Sequence, residues 1–235
     1  MRSDIDVEVC EVGLRDGIQG IDQFFPTDKK KAWIAAEAEA GVGEIEVCSF
    51  VPPSVSGQFV DCEEVVADAL THDGLTVSAL VPNLRGAERG FPTGLHKLNF
   101  VLSISESHNQ ANVRCSREDS LERLRQISEL RDSTPENKKV ALAVGLATAL
   151  GCTIEGNVDP GEVVRIAERV LAPAVLLRGL DLGRVPGRRH PVGARRRCGQ
   201  AMADVHGVGP AGEHDRGRRQ ASLLPDYRHS WDAPD

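Results

Sequence analysis

Along the first 170 residues two hydrophobic rhythms take turns. Residues 5–12 (IDVEVCEV) alternate with period two, are rich in β-branched side chains and stop at Gly13, which predicts a strand. Residues 27–41 (TDKKKAWIAAEAEAG) space Trp33, Ile34 and several alanines at helical intervals, with Thr27 and Asp28 as capping residues and Gly41 as the stop. EIEVCSF (44–50) reads as a second strand, and DCEEVVADALTHDG (61–74) as a second helix closed by Gly74. LTVSALV (75–81) and a short, glycine-weakened helix at 83–90 make the third unit. HKLNFVLS (96–103) is a fourth strand, followed by an amphipathic helix at 116–131 whose Ser116 and Asp119 form a capping-box variant. After the polar loop 132–139 come a fifth strand, VALAVGLA (140–147), and a helix at 159–172 with Pro160 in its first turn.

Strict alternation of strand and helix demands a parallel sheet, because helical crossovers bring consecutive strands parallel. Two architectures satisfy it, a (β/α)8 barrel and an open doubly wound sheet. No G-x-G-x-x-G follows the first strand, which weakens the second. Polar residues gather directly after the predicted strands: Arg15-Asp16, Cys48-Ser49, Asn83, Ser105 to His108, and Cys152. Chemistry at the carboxyl ends of strands is a barrel property. The expected fold class is therefore α/β, a (β/α)8 TIM barrel that is incomplete, with about five to six of the βα units.

Composition narrows the class. The chain has 235 residues, 40% hydrophobic and 27% charged, with a net charge of −7, enough for a core that needs neither disulfide nor structural metal. No apolar run approaches the roughly 20 residues of a membrane helix, and the first ten residues do not read as a secretory signal. Six irregularly spaced cysteines make no disulfide framework, so a reducing, cytoplasmic setting is expected. The acidic balance argues against nucleic acid as the main partner.

The charge is unevenly spread. Residues 1–170 hold 17 Lys and Arg against 28 acids, whereas residues 171–235 hold 11 Arg and no Lys against 7 acids, and lack Ile and Phe. Two parts are expected: residues 1–170, a partial TIM-barrel domain, and residues 171–235, an atypical Arg/Gly/Pro-rich tail, disordered or non-native. Such a tail is what a GC-rich coding region yields out of frame, so a frameshift near residues 171–178 is the expectation. The alternative is a basic tail for an acidic partner or nucleic acid, with only Tyr227 and Trp231 as aromatics for stacking.

GLRDGIQG (13–20) places Arg15 and Asp16 between glycines at the end of the first strand. An Asp there can ligate a hard divalent cation, and the adjacent guanidinium can face a carboxylate, a carbonyl or a developing enolate. Gln19 adds a neutral amide. Spacing alone favours a plainer reading, an Arg–Asp pair that stabilises a turn, and other positions shift that balance. The remaining conspicuous residues have plainer readings. His108 reads as a solvent-facing loop histidine or a substrate contact, Cys48 and Cys152 as small, partly buried apolar residues, and Lys29–Lys31 as a solvated helix face. Lys138, Lys139 and Arg85 could meet the phosphates of an anionic ligand, although nothing in their spacing shows it.

Five motifs in order carry a resemblance: GLRDGIQG, IEVCSF, VPNLRG, SESHN and ALGCTIEG, spanning about residues 5–170. Together they resemble hydroxymethylglutaryl-CoA lyase, within the metal-dependent, pyruvate carboxyltransferase-like TIM barrels. The resemblance implies that Arg15 is catalytic, that Asp16 binds a divalent metal (Mg2+ or Mn2+), that Gln19 lies in the substrate pocket and that Glu46 supports Arg15. It further implies cleavage of 3-hydroxy-3-methylglutaryl-CoA to acetoacetate and acetyl-CoA, an acyl-CoA substrate, no membrane and possible homodimerisation. A related acyl-CoA aldol or Claisen enzyme, such as a citramalyl-CoA lyase or synthase, is the alternative, and a non-catalytic remnant is the third reading. The family's later motifs, H-x-H-D-T and G-G-C-P-Y, have no intact counterpart; Asp181, His214-Asp215 and Cys198 are the residues nearest in kind.

Overall fold

A computed structural model describes residues 9–171 of the chain. Five strands form its sheet: β1 (Cys10–Glu11), β2 (Glu44–Ser49), β3 (Thr76–Leu80), β4 (Lys97–Ser103) and β5 (Ala141–Ala147). Six helices accompany them: α1 (Thr27–Glu39), α2 (Cys62–Ala69), α3 (Leu84–Gly90), α4 (Glu106–Val113), α5 (Arg117–Asp132) and α6 (Pro160–Leu171).

All four strand pairs are parallel, and the order is β1-β2-β3-β4-β5. Each strand lies beside its sequence neighbour, so the winding never reverses. A doubly wound sheet must reverse at a switch point; a barrel wall does not. The five described strands are thus barrel wall, as the alternating pattern predicts, and the segment that follows β1 carries the residues of the candidate site together with β2.

The two faces of the wall differ in chemistry. Ile45, Val77, Ala79, Leu98, Phe100, Leu102 and Leu142 are buried in one core with Ile34 of α1, Val65 and Val66 of α2, Leu124 and Ile127 of α5 and Ile166 of α6. That burial of apolar surface, at about 25 cal/mol per Å², drives the layer together. The concave face instead carries Glu44, Glu46, Ser78, Lys97 and Asn99, joined by hydrogen bonds and ion pairs: Glu44 meets Lys97 and Ser78, and Glu46 meets Asn99. β2 is buried along its whole length, so its two carboxylates are buried with it.

Local signals in the sequence reappear at their expected places. Ser116 and Asp119 form the reciprocal capping box at the start of α5. Pro160 is the first residue of α6, preceded by Asp159, whose carboxylate accepts from the Gly161 amide at 2.9 Å. Gly41 ends the α1 turn with φ of 88°.

Four expectations are corrected. Thr27 does not cap α1: the cap position is Pro26, and the Thr27 hydroxyl donates to Asp61 Oδ2 at 2.7 Å instead. The second helix stops at Ala69, with Gly74 at φ 80° in the following turn. SESHN is not loop, because Ser105 caps α4, its hydroxyl accepting from the His108 amide at 3.1 Å. The Lys29–Lys31 run is not wholly a solvated face either. Lys30 is 1% exposed, its ammonium 2.7 Å from Asp61 Oδ1 and bonded to the Gln58 carbonyl. A buried ammonium is tolerated only with such partners. The expectations for residues 172–235, including Asp181, Cys198 and His214, lie outside the described residues.

Candidate active site

β1 ends in a five-residue π-helical turn, Gly13–Gly17, in which the amides of Arg15, Asp16 and Gly17 all point to the Val12 carbonyl. Gly13 is required by close approach: a Cβ there would stand 2.6 Å from Glu11 Oε1 and 2.9 Å from the Trp33 ring. The turn buries Leu14 and so lifts Arg15 and Asp16 onto the carboxyl rim.

Three elements converge on Arg15. Its Nε donates to Glu46 Oε2 on β2 at 2.6 Å, and its Nη1 donates to Asp16 Oδ1 at 2.7 Å. Glu46 Oε1 accepts from Asn99 Nδ2 on β4 at 2.9 Å. Side-chain exposure grades outward, 4% for Glu46, 18% for Arg15 and 66% for Asp16. The guanidinium is anchored from below by a buried carboxylate, while its Nη2 has no hydrogen-bond partner among the described residues. Such a group, positively charged and held at a rim, can stabilise an oxygen anion.

Gln19 lies half-buried just beyond the turn. The segment after it is held by Gln58: Nε2 donates to the carbonyls of Ile21 (2.6 Å) and Gln23 (2.7 Å), and Oε1 accepts from the Phe25 amide (2.8 Å). Gln58 carries no motif signal, and its role is visible only in three dimensions.

The far side of the rim is built from α4 and the loop after β5. His108 is half-buried, with Nδ1 2.8 Å from the Ser103 hydroxyl at the end of β4, which corrects the reading of a loop histidine facing solvent. Cys48 is buried, and burial followed by the neighbouring Cys62 pushes its thiol up. Cys152 is also buried but shifts the other way. Its Sγ lies 3.1 Å from Ser105 Oγ and accepts from the amides of Ile154 (3.3 Å) and Glu155 (3.4 Å), and these contacts, Ser105 first, hold the thiol below its ordinary value. The loop is tied back by Glu155, which accepts from the Ser107 amide at 2.7 Å.

Lys138 and Lys139 stand away from this rim. They occupy a single 3-10 turn before β5, at the amino end of the wall, beside a cavity of about 340 Å³ that Arg131 and Val140 also line. Arg85, at the start of α3 just after β3, is on the carboxyl side.

For a divalent cation, Asp16 offers one exposed carboxylate. Among the described residues no three His, Cys, Asp or Glu side chains form a metal-holding group. A hard cation takes about six oxygen ligands or more, so the described donors alone do not fit one. Nor, among those residues, is any helix long and apolar enough to cross a membrane.

A singly wound parallel wall defines a TIM-barrel protein, here with a carboxylate-anchored arginine at the carboxyl rim after the first strand. Comparison with known proteins gives the family. The model described as HMGL-like matches residues 6–178, and the chain belongs to that family. It is 31% identical over 185 residues to the hydroxymethylglutaryl-CoA lyase of Bacillus subtilis, covering 79% of this chain and 60% of that protein. It is 34% identical over 164 residues to the 3-hydroxy-3-isohexenylglutaryl-CoA/hydroxymethylglutaryl-CoA lyase of Pseudomonas aeruginosa, covering 70% and 53%.

Solved structures agree. The Bacillus subtilis HMG-CoA lyase superposes with a TM-score of 0.66 at 31% identity, over 72% of this chain and 55% of that one. The Acinetobacter baumannii enzyme, solved with coenzyme A and 3-methylmalate, gives 0.64 at 33% identity, over 72% and 53%. The chain spans about half to three fifths of the length of these relatives.

Proposed function

We propose that the chain is a carbon–carbon lyase acting on 3-hydroxy-3-methylglutaryl-CoA, with Arg15 as the catalytic cation, Glu46 as its support and Gln19 in the substrate pocket. The observation that carries this reading is the Arg15–Glu46–Asn99 chain of hydrogen bonds at the rim of an HMGL-like barrel wall. In the reaction the tertiary hydroxyl of the substrate loses its proton and the bond between the second and third carbons breaks. Acetoacetate departs, and the electron pair stays on the acetyl-CoA enolate until a proton returns. Arg15 neutralises the oxygen charge that develops; removing one such donor typically costs about 3 kcal/mol.

A Mg2+ or Mn2+ ion belongs to the same proposal, because Asp16 is an oxygen donor at the same rim; when bound it would lower the pKa of the substrate hydroxyl. Asp16 would be one ligand, and the others would come from outside the described residues. The division of the chain near residue 171 and association as a homodimer are likewise proposed. The coding DNA across residues 165–235 decides the first, and light scattering on the purified chain decides the second.

A larger 3-alkyl substituent is the second reading, favoured by the Pseudomonas aeruginosa relative, whose name joins isohexenylglutaryl-CoA to hydroxymethylglutaryl-CoA. A coupled assay of acetyl-CoA release, with Mg2+ or Mn2+ added, tests both substrates. Product is expected from at least one. Folded, soluble protein that releases none from either is a non-catalytic member of the family.

A further inference from the structure

The Arg15–Glu46 pair leaves one carboxylate oxygen to be accounted for. Glu46 is 3% exposed, and its Oε2 is taken by Arg15 Nε. An ionised carboxylate only accepts, and both of its oxygens need donors when water is kept away. Oε1 finds one in the Asn99 amide, which reaches over β3 from β4. That reach is possible because the concave face of the wall brings alternate strands toward each other.

Two carboxylates compete for the guanidinium. Asp16 is largely exposed, and an exposed pair holds weakly; Glu46 is buried and contacts Nε along the side of the fork. The aim of Arg15 therefore follows the rotation of the Glu46 carboxylate. With Oε1 tied to β4, Oε2 faces β1. Without that tie, Oε1 is a buried acceptor lacking a partner, and the carboxylate turns to share itself between its oxygens.

We propose that Asn99 is a positioning residue: its amide fixes the Glu46 carboxylate and, through it, the direction of the Arg15 guanidinium. The importance of that direction for catalysis rests on the function proposed above. The positioning itself is a property of the folded chain and is measurable without substrate.

The test uses the full chain labelled with 15N, following exchange of the Arg15 Nε proton with water; its resonance is the one that vanishes in Arg15→Lys. Asn99→Leu keeps the side-chain size and removes the donor, and Asn99→Ala removes the donor with a smaller apolar side chain. Both are expected to speed the exchange by roughly tenfold, the scale set by one hydrogen bond to a charged group. Should the Asn99→Leu substitution prevent folding, the Asn99→Ala variant carries the measurement alone. Unchanged exchange in either folded variant overturns the proposal.

In the lyase assay the same variants are expected to lower kcat with KM little changed, because the aimed group acts on charge that develops after binding. A rise in KM alone would contradict positioning. If the wild-type chain releases no acetyl-CoA, the proposed function falls, and proton exchange still decides for or against Asn99.

Discussion

The Lys30 ammonium and the Asp61 carboxylate form a buried ion pair 2.7 Å apart, and the same ammonium meets the carbonyl of Gln58. Gln58 in turn holds the backbone of Ile21, Gln23 and Phe25, the segment that follows Gln19. A charge pair inside the fold thus braces a loop at the rim.

Removing one partner of a buried pair strands the other. Lys30→Met is expected to lower unfolding free energy by about 3 to 5 kcal/mol, read as a shift in the urea midpoint. A loss below about 1 kcal/mol, the scale of an exposed pair, would show that solvent already screens Asp61.

Arg15→Gln is expected to cut kcat by on the order of 100-fold or more, the range for one lost oxyanion donor, while the chain stays soluble; the melting transition falls as well, because the buried Glu46 carboxylate loses its cation. Arg15→Lys is expected to fall nearly as far, since an ammonium cannot span Glu46 and Asp16 with a planar fork. Wild-type turnover in either variant would take Arg15 out of the site.

Glu155 supplies a pH dependence with a definite sign. The amide and hydroxyl of Ser107 hold its carboxyl below the ordinary carboxylate value. The tether is therefore complete above that ordinary value and is lost as pH falls through the lowered one. Protection of the Ser107 amide against hydrogen exchange is expected to drop in that acid window, and Glu155→Gln is expected to flatten the profile. A variant that keeps the wild-type profile would assign the protection to another group.

The cysteines separate by environment. Cys10 is pushed up to about 12 by burial and by Glu44, whereas Ser105 and two amides hold Cys152 below the ordinary thiol value. The pH midpoint for alkylation of Cys152 by iodoacetamide, located by peptide mass mapping, is expected below that of a free thiol. Ser105→Ala is expected to raise it, because the thiolate loses its hydroxyl donor. No change on substitution would leave the amides as the sole cause.

Much of the wall was readable from local pattern. The second strand, expected at 44–50, is Glu44–Ser49, and the fifth, expected at 140–147, is Ala141–Ala147. The capping box at Ser116 and Asp119 is visible for the same reason, since all its partners lie within one turn. Helix α4 was missed because ESHNQANV has no apolar stripe; its start depends on the Ser105 cap, and buried Asn109 fixes it through the Ser103 amide and the Cys115 carbonyl.

Sequence by itself determined the alternation of strand and helix, the barrel class, and the family through five short motifs, because periodicity, caps and motif spacing are properties of neighbouring residues. Only tertiary structure decided what those residues touch. Arg15 and Glu46 are 31 positions apart, Lys30 and Asp61 31, and Asn99 and Glu46 53. No local rhythm encodes such pairs. The first and last exist because parallel strands lie side by side and leave the buried Glu46 carboxylate on the concave face to be satisfied by donors the fold brings within reach; Lys30 meets Asp61 because α1 packs beside α2, whose cap position Asp61 holds.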